Sequence, residues 1–120
     1  MKKFQLIFDE RIEALEKSNR WKERIDILYL QWSEHPDNLN SLLCAGTQVW
    51  YTLLNQDYLR YDPSTPKNFE FLSEPELVDK LVILTQYGIL HFLDNSVFNA
   101  YFGYMLSITP QYFIDDTSNY

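Results

Sequence analysis

The stretch from Asn38 to Tyr58 constrains this chain more than any other. Leu39, Leu42, Leu43, Ala45, Gly46, Val49, Trp50, Leu53 and Leu54 recur there at helical spacing. Together they cover a wider arc than a helix with a single packing neighbour would keep apolar. Such a helix has to be wrapped from several sides, so it is predicted to be central, with Trp50 in its core face. Asp37 is the expected N-cap, and His35-Pro36 closes the helix before it, since a residue preceding proline is pushed out of the helical region.

The segments around it read the same way. Phe4, Phe8, Ile12 and Leu15 predict a first helix over Lys3 to Lys17, and Trp21, Ile25, Leu28, Tyr29 and Trp32 a second over Arg20 to Glu34. Ser73-Glu74-Pro75-Glu76 has the form of a capping box with proline in the first turn. It opens a helix that should carry Leu77, Leu81, Leu84 and Gly88 inward, with Tyr87 and His91 beside them. Asp94-Asn95 recaps the chain for a fifth helix over Ser96 to Ile108, with Ala100, Gly103 and Tyr104 at close-packing positions. Thr109-Pro110 opens a last turn over Gln111 to Ile114, and residues 115–120 form a short acidic tail.

Three glycines and five prolines in 120 residues are too few for a sandwich or barrel, which needs a turn every eight to twelve residues or so. The expected fold is all-α: one domain over residues 1–120, a bundle or irregular stack of five to six helices, with helical-hairpin repeats as one form of it. An internal echo supports hairpins. Asp94-Asn95 and Gly103 each lie 57 positions after Asp37-Asn38 and Gly46, as if each hairpin used a capping Asp-Asn turn and a glycine for close helix approach.

Apolar residues make up 46% of the chain, enough to offset backbone entropy and exclude disorder. No apolar run approaches the eighteen or so residues that span a bilayer, and Asp9, Glu10 and Arg11 interrupt any export signal. Cys44, the one cysteine, can form neither an internal disulfide nor a thiolate metal site and reads as a buried thiol. A cytoplasmic protein is expected.

Charge is divided unevenly. Residues 1–24 hold seven Lys/Arg against five Asp/Glu, whereas residues 25–120 hold three against twelve. An acidic surface repels phosphate backbones, which argues against direct nucleic-acid binding. His35 and His91 have no ligand-like spacing, no serine or cysteine sits in a nucleophile elbow, and no glycine-rich loop is present. No enzyme activity, cofactor or metal is expected, and no membrane attachment. The segment from Asp57 to Asp79 is different, because Tyr58, Tyr61, Asp62, Phe69, Glu70, Glu74, Glu76 and Asp79 mix aromatic anchors with carboxylates across an irregular connection. Rings supply desolvated area and acids set orientation and association rate, which is what a binder of a basic protein surface needs.

Two resemblances bear on function. Trp32-Ser-Glu-His-Pro-Asp-Asn38, followed by the helix with Ala45-Gly46, resembles the turn between adjoining tetratricopeptide-type hairpins over residues 20 to 58, without the 34-residue period of a regular array. The closing Ala100-Tyr-Phe-Gly-Tyr-Met-Leu-Ser-Ile-Thr-Pro-Gln-Tyr-Phe113 is similar to the ends of small acidic helical immunity proteins encoded beside bacterial polymorphic toxins. The second implies an inhibitor that binds and neutralises a cognate toxin domain, often a basic nuclease. The first implies an adaptor or chaperone holding a peptide or helix.

Overall fold

The computed structural model describes residues 21–61 and 74–113, with side chains at 22–55 and 74–113. Four α-helices run through them: α1, Trp21–Glu34; α2, Leu39–Tyr61; α3, Glu74–Phe92; and α4, Ser96–Ile108. A 3-10 turn, Pro110–Tyr112, follows. No strand occurs among the described residues. The all-α expectation holds, but with four helices in place of five to six. The last expected helix is that single 3-10 turn, and the first, Lys3 to Lys17, lies outside the described residues, as do Ser73 and the acidic tail.

The wide apolar face of α2 has the predicted consequence: α2 packs against α1, α3 and α4. Leu42, Leu43, Cys44, Ala45, Val49 and Leu53 are all buried. Ile25, Leu28 and Trp32 of α1, Leu77, Leu81 and Leu84 of α3, and Phe98, Phe102 and Met105 of α4 complete one core around them. Burying each such side chain contributes about 1.5–3 kcal/mol, and Cys44 is part of that core.

Two glycines set the approach of α4. A Cβ on Gly46 would lie 2.7 Å from Phe102 Cζ, and one on Gly88 would lie 2.0 Å from Phe98 Cε1. Phe98 and Phe102 stack at 4.8 Å and occupy the space that both glycines leave. Gly103 has no such role, because a Cβ there meets nothing within 4 Å. The expected symmetry of the two glycines is therefore broken: Gly46 is an internal packing position and Gly103 faces outward.

The capping half of the echo survives, moved by one residue. Asn95 Oδ1 accepts from the backbone N–H of Val97 and of Phe98, and Asn38 Oδ1 accepts from that of Ser41. Asn38, not Asp37, caps α2. The Asp37 carboxylate instead accepts a hydrogen bond from Tyr87 Oη at 3.2 Å, which places the end of α3 beside the start of α2 and makes these helices antiparallel.

A buried polar chain ties α1 to α2. Arg24 is buried, its Nε donates to Gln48 Oε1, Gln48 Nε2 donates to Thr52 Oγ1, and Thr52 Oγ1 donates back to Gln48 O. A buried guanidinium survives only with its donors engaged. On another side of the same turn of α2, Trp50 Nε1 donates to Thr109 Oγ1 at 2.8 Å, and Thr109 Oγ1 donates to Met105 O at 2.9 Å. That pair pins the C-terminal end of α4 onto α2. Trp50 is accordingly half-buried rather than fully in the core.

Candidate functional site

Helix α3 starts with Glu74, Pro75 and Glu76. Proline in the first turn gives up an N–H that has no intrahelical acceptor, and the carboxylates complement the positive end of the helix dipole. Burial of Leu77, Leu81, Leu84 and Gly88 then fixes how the helix is rotated. The opposite stripe, Asp79, Ile83, Gln86 and Leu90, follows helical spacing and is exposed along its length. Ile83 is 46% exposed and Leu90 79%.

An acidic helix start therefore grades into an apolar helix end on one outward face. Beyond Leu90 the face reaches the α3–α4 turn, where residues from Leu90 to Asn95 line a depression of about 370 Å³. Ile83 and Leu90 give this face apolar contact area in line with its carboxylates.

Along the flank of this face runs an aromatic ladder. Trp32 meets Tyr29 edge-on at 5.2 Å and Tyr87 edge-on at 5.4 Å, and Tyr87 stacks on His91 at 4.1 Å. Lys80 Nζ sits 4.4 Å above the Tyr29 ring. Partial burial, and next the Asp37 carboxylate that its hydroxyl meets, push the Tyr87 phenol above its ordinary value of 10.0; burial raises Tyr29 as well. His91 is exposed, so its expected inward position is corrected. Pointing it inward would have stripped a polar ring of water, whereas stacking on Tyr87 keeps it at the surface. Among the described residues no group of three His, Cys, Asp or Glu converges to hold a metal ion, and no helix is long and apolar enough to cross a membrane.

Of the eight residues expected to meet a partner, Glu74, Glu76 and Asp79 are exposed at the start of α3. Tyr58 and Tyr61 lie in the last turns of α2, at the same end of the bundle because α2 and α3 are antiparallel; their side chains are outside the described residues. So are Asp62, Phe69 and Glu70. Ile83 and Leu90 were not singled out from the sequence. The signal was there: a second apolar pair seven residues apart, out of phase with the Leu77, Leu81, Leu84 stripe.

A different face lies between α2 and α4, where Thr47, Trp50, Ala100, Tyr101, Tyr104 and Met105 line an apolar groove of about 400 Å³. No protein-family model matches the chain, and neither a curated protein nor a solved structure is significantly similar to it.

Proposed function

We propose that this chain is a protein-binding inhibitor, an immunity protein that neutralises a cognate basic toxin domain, with a nuclease as the leading toxin class. The observation that carries the reading is the outward face of α3, where Glu76 and Asp79, with Glu74 nearby in the first turn, precede Ile83 and Leu90 on exposed surface. Carboxylates steer a basic surface on approach, and the aliphatics supply contact that excludes water once it has docked. The reading also takes in Tyr58, Tyr61, Asp62, Phe69 and Glu70, from the end of α2 and the segment after it, on the strength of the sequence alone. No chemistry is assigned to His91 or Cys44, and binding needs no cofactor.

The competing reading is a tetratricopeptide-like adaptor with a peptide or helix in the groove between α2 and α4. That groove offers a peptide no charged group to fix its register, which favours the inhibitor. Affinity capture from the native host identifies the partner, and co-expression with a toxin domain encoded directly upstream tests the activity. Restored growth is the expected result. Undiminished killing, with a secretion or chaperone component as the captured partner, would favour the adaptor.

A further inference from the structure

We draw no further inference here: the strongest candidate, the apolar groove between α2 and α4 that Trp50, Tyr104 and Met105 help to line, is an unpartnered face, and nothing among the described residues shows what covers it.

Discussion

Substituting the three glycines separates internal packing from an open surface. In Gly88→Ala the new methyl would overlap Phe98, which is stacked on Phe102 and buried, and the overpacking should cost about 1–3 kcal/mol. Gly103→Ala meets nothing and restricts only the unfolded chain, so it should gain about 0.4–1 kcal/mol. Urea unfolding of both variants, at a concentration where the chain is monomeric, checks the pair. At Tyr87 the prediction concerns pH. Because its folded value is raised, as is that of Tyr29, the folded state holds phenolic protons that the unfolded chain has released. The associated stability is fully present below pH 10 or so and is lost as pH rises through the raised folded values. Tyr87→Phe should therefore flatten the alkaline decline, measured as denaturant midpoint against pH, while phenolate absorbance follows the titration. An equally steep decline in the variant would leave Tyr87 with no part in it.

At the scale of elements, caps and pins are the testable features. Asn95→Ala removes an acceptor shared by two backbone N–H groups at the start of α4 and should cost about 1 kcal/mol. Asp37→Ala takes no cap from α2, since Asn38 supplies it, and should cost less; equal losses measured by thermal unfolding would contradict that assignment. Much of this level was legible in the sequence. Helical periodicity placed the C-terminal end of α1 and both ends of α4 at their observed bounds, because apolar stripes and Asp-Asn or Pro punctuation coincide there. Legibility failed where two neighbouring residues compete for one role, as Asp37 and Asn38 do. It failed again where a polar residue sits in an apolar stripe: periodicity placed His91 inward, yet stacking on Tyr87 holds it at the surface. Arg24 is the converse case, a charged residue in a basic stretch that the fold buries against Gln48.

For the whole molecule, one central helix leaves two kinds of outer face. As far as Gln56 that helix carries no charged residue, and neither does α4, whereas α3 turns carboxylates and aliphatics outward. The carboxylates at the start of α3 could be read from the sequence, since Glu74, Glu76 and Asp79 stand out by charge. The apolar half of the α3 face is marked in the sequence only by phase, and Ile83 and Leu90 look like core until the rotation of α3 is fixed by burial of Leu77, Leu81 and Leu84. Once a captured toxin domain is in hand, the most direct test of the binding face is its interaction kinetics by surface plasmon resonance at two salt concentrations. Neutralising Glu74, Glu76 and Asp79 together should slow association and flatten its salt dependence, since exposed charges act over about 8–10 Å. Ile83→Ala with Leu90→Ala should leave association nearly unchanged and speed dissociation by about thirtyfold, the equivalent of losing roughly 2 kcal/mol of buried contact. Wild-type kinetics in both folded variants would contradict the account and remove the partner from α3.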